Sequence, residues 1–154
     1  MNSALARSIV DLSSQWRSRF SRWRISSRSG HLRRGARGET LACRYLKRNG
    51  YKVLHRNFRG RSGGEIDVVC RDNDTLVFVE VKTRGREDFG RPVEAVDREK
   101  RKRISRGALA WLRMLDNPDI LFRFDVVEVI MVDDAKPRVE LVRNAFPLSK
   151  PYLY

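Results

Sequence analysis

Apolar residues recur every three or four positions near the start of the chain: Leu5, Ile9, Leu12, Trp16, Phe20 and Trp23, within residues 4–25. Arg7, Arg17, Arg19, Arg22 and Arg24 fill much of the remaining surface, so the pattern predicts an amphipathic helix with a basic polar face. A membrane-surface or partner-binding helix, a nucleic-acid arm, an Arg/Ser-rich targeting segment and a helix lying on the rest of the chain all fit that pattern. Ser26 to Gly38, rich in Ser, Arg and Gly, reads as a linker. Helical periodicity returns from Glu39 to Asn49, and Asn49-Gly50 is a C-terminal stop. Glu39 falls in line with the apolar face made by Ala42, Cys43 and Leu46. Either it is a first-turn acid favoured by the helix dipole, or it points into a site.

The period then changes from 3.6 to 2. Tyr51 to Phe58 reads as a strand, and Arg59 to Gly63 as a turn. Two further strands follow, Glu65 to Cys70 and Leu76 to Lys82, joined by Asp72-Asn73-Asp74-Thr75, which is hairpin chemistry. In the first, Glu65, Asp67 and Val69 share one face, with Ile66, Val68 and Cys70 on the other; in the second, Leu76, Phe78, Glu80 and Lys82 share a face. Gly85 to Pro92 reads as a loop. Asp97 to Leu115 reads as a helix with Ile104, Ala108, Trp111, Leu112 and Leu115 inward, and Asn117-Pro118 ends it. Phe122 to Val132 is another strand, and Val139 to Val142 the last. The near-continuous apolar runs Val77–Val81 and Val126–Met131 suit central strands covered on both faces.

The order helix, three strands, helix, two strands predicts an α/β fold: a mixed sheet of about five strands flanked by helices and preceded by the N-terminal amphipathic helix. The expected division is a basic extension and linker over 1–34, a domain over 35–147 and a tail over 148–154. At 154 residues the chain suits one domain with a real core. Its formal charge of +14 points to polyanionic partners. Residues 1–37 hold nine arginines against one acid, Asp11, so a basic arm precedes a more balanced domain. Cys43 and Cys70 form no paired motif and His31 and His55 lie far apart, which argues against zinc. Two lone cysteines in apolar runs read as reduced core residues, the absence of an apolar h-region argues against secretion, and no run approaches the roughly 18–20 residues of a membrane span. The expectation is a soluble, cytoplasmic protein.

Burying a carboxylate is costly unless it is paired or holds a metal, and Asp67, Glu80 and Lys82 all lie at the ends of core-like strands. Across a hairpin, Asp67 and Glu80 fall near one another. Two carboxylates with a lysine beside them suit phosphodiester hydrolysis, in which a hard cation such as Mg²⁺ takes oxygen ligands and a positive group attends the water. A structural ion-pair network is the plainer reading of the same three residues. Glu65 shares Asp67's face without a necessary part in such chemistry. The run Arg98-Glu-Lys100-Arg-Lys-Arg103, with Arg106, opens the second helix as a set of phosphate contacts or as a solvated face. Lys100 stands out, one turn before the inward Ile104. Arg56, Arg59, Arg61, Arg84 and Arg86 cluster at turns beside the proposed site and suit backbone contacts without sequence specificity. Asp125 is expected to hold a basic partner structurally.

Asp67, then Glu80-Val81-Lys82 after a hairpin, with Glu39 on a preceding helix, resembles the PD-(D/E)xK nuclease core. More closely, the chain resembles the YraN-like family of bacterial proteins, predicted to be endonuclease-like. The matching stretches are Gly38-Glu39 with Ala42 and Tyr45-Leu46, Arg56–Arg59, Gly64–Val69, Val77–Arg84 and Arg123–Val127, within roughly residues 35–147. Ile66 stands where the motif's name has proline. The resemblance implies a restriction-endonuclease-like fold akin to Holliday-junction resolvases and Mg²⁺ or Mn²⁺ as cofactor. It implies Asp67 and Glu80 as metal ligands, Lys82 as the catalytic lysine and Glu39 as an accessory acid and further ligand. DNA, including branched or flapped DNA, is the expected partner, with Lys100, Arg59, Arg61, Arg84 and Arg103 as candidate contacts. A homodimer is a further expectation, since related folds often act as dimers. The alternative is a non-catalytic nucleic-acid-binding module on the same fold.

Overall fold

Two helices and five strands follow the expected order in the computed structural model, which describes residues 30–61, 63–85 and 96–152. The helical stripe of residues 4–25, Arg86 and most of the Gly85–Pro92 loop lie outside the described residues. The elements are α1 (Gly30–Arg48), β1 (Lys52–Arg59), β2 (Glu65–Asp72), β3 (Thr75–Arg84), α2 (Arg98–Met114), β4 (Leu121–Ile130) and β5 (Arg138–Phe146). The strands form a single mixed sheet in the order β1-β2-β3-β4-β5. All neighbours are antiparallel except β3 and β4, whose parallel pairing is bridged by α2. This order puts β3 in the middle and accounts for the unbroken apolar run from Leu76 to Val79.

The helices cover opposite faces. Ala42, Cys43 and Leu46 of α1 pack with Val68, Cys70, Val77, Val79, Val127 and Val129. Ile104, Ala108, Trp111 and Leu112 of α2 pack with Ile66, Val69, Phe78, Phe124 and Val126. Trp111 anchors this second layer, fully buried and edge-on to Phe58 at 5.0 Å between ring centroids. Leu148 joins the same layer and the Ser149 N–H donates to Ser105 Oγ at 3.0 Å, so the chain beyond β5 is packed onto α2.

Three local expectations are revised. The stretch expected as a linker is helical from Gly30 onward, and Glu39 therefore sits in the interior of α1 rather than in its first turn. Arginine and alanine are good helix formers, and one of the glycines that suggested flexibility serves packing: Gly38 is buried, and a Cβ there would collide with the Thr83 side chain of β3. Ile66 does not share a layer with Val68 and Cys70. It packs under α2, because β2 leaves the regular pairing at this point. The β2–β3 ladder runs from Asp72↔Thr75 to Val68↔Val79 and stops there. The last strand is also longer than Val139–Val142, reaching Phe146.

Other local signals hold. Gly50, at φ 87°, ends α1, with the Tyr51 N–H donating to Leu46 O at 3.0 Å. Asn73 takes the left-handed conformation that the tight hairpin needs, φ 52°. Asp97 caps α2 by accepting the Lys100 backbone N–H at 2.7 Å. Asp125 is fully buried, receives Arg123 Nε at 2.9 Å, and accepts the Asn144 N–H at 2.8 Å where the β4–β5 register shifts. Arg123 also donates to Asp72 at 2.8 Å, tying the hairpin to β4, and its pKa is raised by these carboxylate contacts against the opposing effect of burial.

Candidate functional site

The place where β2 parts from β3 is an open cleft lined by Arg34, Gly35, Glu39, Asp67, Glu80, Val81, Thr83 and Lys100. Beyond Val68 the ladder no longer pairs the strands, and the Asp67 side chain takes up a backbone donor instead: Val81 N–H to Asp67 Oδ2, 2.8 Å. That bond fixes the Asp67 carboxylate beside Glu80 and supplies a partner to an N–H otherwise left without one.

Glu80 follows the apolar run of β3 and is 2% exposed. Its Oε1 lies 3.2 Å from Lys82 Nζ and 3.3 Å from Lys100 Nζ. Its Oε2 is buried without any hydrogen-bond partner. Burial first, and the neighbouring Asp67 carboxylate second, push the Glu80 carboxyl up to about 7, against the opposing pull of the two lysines. A buried carboxylate oxygen with nothing to accept from costs on the order of 1–3 kcal/mol or more. A charged ligand that met this oxygen would offset that cost. The donor set is also the right kind for a hard divalent cation: carboxylate oxygens from two neighbouring strands, open to solvent on one side.

Lys82 is part-exposed and reaches Glu80 along β3, though it does not itself line the cleft. Glu39 reaches the cleft from α1, and its Oε2 lies 3.7 Å from Arg56 Nη2. It is not gathered with Asp67 and Glu80 into a three-acid cluster, and among the described residues no group of three His, Cys, Asp or Glu is close enough to hold a metal. The structure thus brings together Asp67, Glu80, Lys82 and Lys100, with Glu39 and Arg56 on the rim.

The five candidate phosphate contacts divide. Arg59, Arg61 and Arg103 are exposed. Arg84 is largely covered and ion-paired to Glu128 of β4 at 2.6 Å. Lys100 is turned inward and held by Glu65 at 2.8 Å as well as by Glu80. Burial opposes its charge, but Glu80 and Glu65 outweigh that and raise its pKa. Glu65 is correspondingly lowered, chiefly by the Lys100 hydrogen bond. Arg34 was missed. The stretch from Ser26 to Gly38 reads as a linker, and only its helical continuation carries Arg34 to the cleft.

A mixed five-stranded sheet between two helices, with Asp67 and Glu80-Val81-Lys82 at the parting ends of neighbouring strands, is a restriction-endonuclease-like α/β domain. Within that class the chain belongs to the Uncharacterised protein family UPF0102, the YraN-like family, whose model matches residues 38–129. It is 49% identical over 115 residues to a UPF0102 protein of Geobacter sulfurreducens, spanning 75% of this chain and 89% of that one. A UPF0102 protein of Nocardia farcinica is 46% identical over 112 residues, 73% of this chain and 87% of its own. One from Rhodococcus opacus is 44% identical over 116 residues, 75% and 98% respectively. The match covers the cleft residues from Glu39 to Lys100. No helix among the described residues is long and apolar enough to cross a membrane.

Proposed function

We propose that this chain is a divalent-metal-dependent nuclease-like protein acting on DNA phosphodiesters, including branched or flapped DNA. The observation that carries the reading is the buried Glu80 Oε2, without a hydrogen-bond partner, beside the anchored Asp67 carboxylate at an open cleft, with Lys82 and Lys100 against the other Glu80 oxygen. Asp67 and Glu80 would hold Mg²⁺ or Mn²⁺, with Glu39 at the rim to orient solvent. Such an ion supplies Lewis-acid polarisation of the phosphoryl oxygens and a water of lowered pKa.

The chain's own residues do the positioning. The Val81 N–H keeps Asp67 from turning out of the cleft. The Lys82 ammonium, near Glu80 and part-exposed, donates a hydrogen bond to the attacking water or to a phosphoryl oxygen as charge builds there. Arg59, Arg61 and Arg103 meet phosphates of the flanking backbone, which gives affinity without sequence preference. Lys100, already engaged by two carboxylates, is the candidate contact least free to meet a phosphate.

A non-catalytic nucleic-acid-binding module is the rival reading, favoured by the two ammoniums that already sit against Glu80 Oε1. The panel that separates them is linear, flap and four-way-junction DNA incubated with Mg²⁺ or Mn²⁺, or with chelator, beside Lys82→Ala. The nuclease reading expects cleavage that needs the metal and falls by at least about a hundredfold in Lys82→Ala, the scale of losing one transition-state donor. DNA binding without cleavage on any substrate and without metal uptake favours the module. Cleavage undiminished in the variant comes from a contaminant and removes the assignment.

A further inference from the structure

Lys82 and Lys100 both approach the same oxygen of Glu80, yet their surroundings differ. Lys100 Nζ lies 2.8 Å from Glu65 Oε1 and 3.3 Å from Glu80 Oε1, bridging the first residue of β2 to the middle of β3 from the start of α2. Its side chain is only 15% exposed. Glu65 is part-exposed, with Arg103 3.9 Å from the same oxygen that Lys100 uses. Two ammoniums against one carboxylate oxygen repel each other and any cation that approaches Glu80. One of them has a second carboxylate already within hydrogen-bond reach.

We propose that Glu65 and Lys100 form a counter-ion seat governing cation loading at Asp67 and Glu80. This rests on the metal-site reading above. Without a divalent ion, Lys100 compensates the buried Glu80. When the ion arrives, the ammonium gives up Glu80 and keeps Glu65, so like charges separate without leaving either carboxylate unpaired. Lys100 is thus a positioning residue rather than a phosphate contact. The seat explains why a strand-end acid with no part in the chemistry, Glu65, holds the same ammonium that faces Glu80. It also gives the basic opening of α2 a role distinct from that of a solvated face.

The test is calorimetric titration of Mn²⁺ into the full-length chain, as wild type, Lys100→Met, Glu65→Gln and the double variant. Lys100→Met is expected to tighten Mn²⁺ on the order of tenfold, by removing a like charge next to a ligand. Glu65→Gln is expected to weaken it by a similar factor, because Lys100 then has only Glu80. In the Lys100→Met background Glu65→Gln is expected to change affinity by less than about twofold, since the seat has lost its occupant. Equal effects of Glu65→Gln in both backgrounds would mean that it acts through its own charge alone, and the seat would be wrong. A wild type that takes up no Mn²⁺ overturns the metal-site reading and the seat with it, whereas uptake with additive variants overturns only the seat. If circular dichroism shows Lys100→Met unfolded, Lys100→Gln takes its place. The wild type offers a second readout, the Lys100 ammonium resonance in ¹⁵N-lysine-labelled protein. It should shift on adding Mg²⁺, and a resonance unmoved at saturating Mg²⁺ contradicts the exchange of partners.

Discussion

Glu80 is a nearly inaccessible carboxylate with one oxygen against two ammoniums and the other without a hydrogen-bond partner. Burial and Asp67 raise its carboxyl from the usual 4.5 to about 7. The folded chain therefore holds more protons than the unfolded chain between those values, so this residue's contribution falls as pH rises through that window and stays unfavourable above it. Metal-free Glu80→Gln is expected to melt higher than wild type at pH 8, with the gap closing toward pH 5. Thermal melts in chelator at both values check it. A wild type that gains relative to the variant as pH rises would contradict the assigned direction. The same substitution is expected to abolish Mn²⁺ uptake, so stability and site occupancy oppose one another at this position.

The helices hold the cleft in register, and a close backbone approach lies where α2 crosses the start of β2. Gly64 meets the backbone of Arg106 and Gly107, and Gly107 meets Ile66 and Glu65. Gly64→Ala has no room there and is expected to destabilise the fold by about 1–3 kcal/mol, as overpacking does. Trp111→Ala, which empties the centre of the α2 layer, is expected to cost about 3–5 kcal/mol. Denaturant unfolding monitored by circular dichroism measures both, and losses below about 0.5 kcal/mol would contradict the packing described.

Much of this level was legible in the sequence. The strands showed in period-2 runs, the hairpin in Asp72–Thr75, and the ends of the helices in Asn49-Gly50, Asp97 and Asn117-Pro118. Lys100's inward direction followed from its spacing to Ile104. What it faces did not, because its contact with Glu65 and Glu80 depends on the close docking that Gly64 and Gly107 permit. Nor could periodicity show that β2 parts from β3 after Val68, which turns Asp67 toward Val81 and moves Ile66 to the other layer. The start of α1 was obscured by its glycines, of which Gly38 has its meaning in tertiary contact with Thr83, so Arg34 was hidden and Glu39 looked like a first-turn residue.

At the scale of the whole molecule, a net charge of +14 sets a field that draws polyanions toward it, and the exposed candidate contacts Arg59, Arg61 and Arg103 belong to the domain itself. Replacing Arg59 or Arg103 by alanine is expected to weaken DNA binding alike across sequences and to lower the salt slope of log Kd by about one per residue. Fluorescence anisotropy across a salt series measures it, and an unchanged slope would place the DNA elsewhere on the surface. Asp67 and Glu80 serve either a metal or a network of ion pairs. Asp67→Asn separates these directly, because the amide oxygen can still accept the Val81 N–H while the charge is gone. The decisive measurement is the single-turnover rate of DNA cleavage in Mg²⁺ by wild type and Asp67→Asn, with both shown to bind the same DNA. A drop of at least about a hundredfold at unchanged DNA affinity is the predicted result. Equal rates from the two proteins would contradict it.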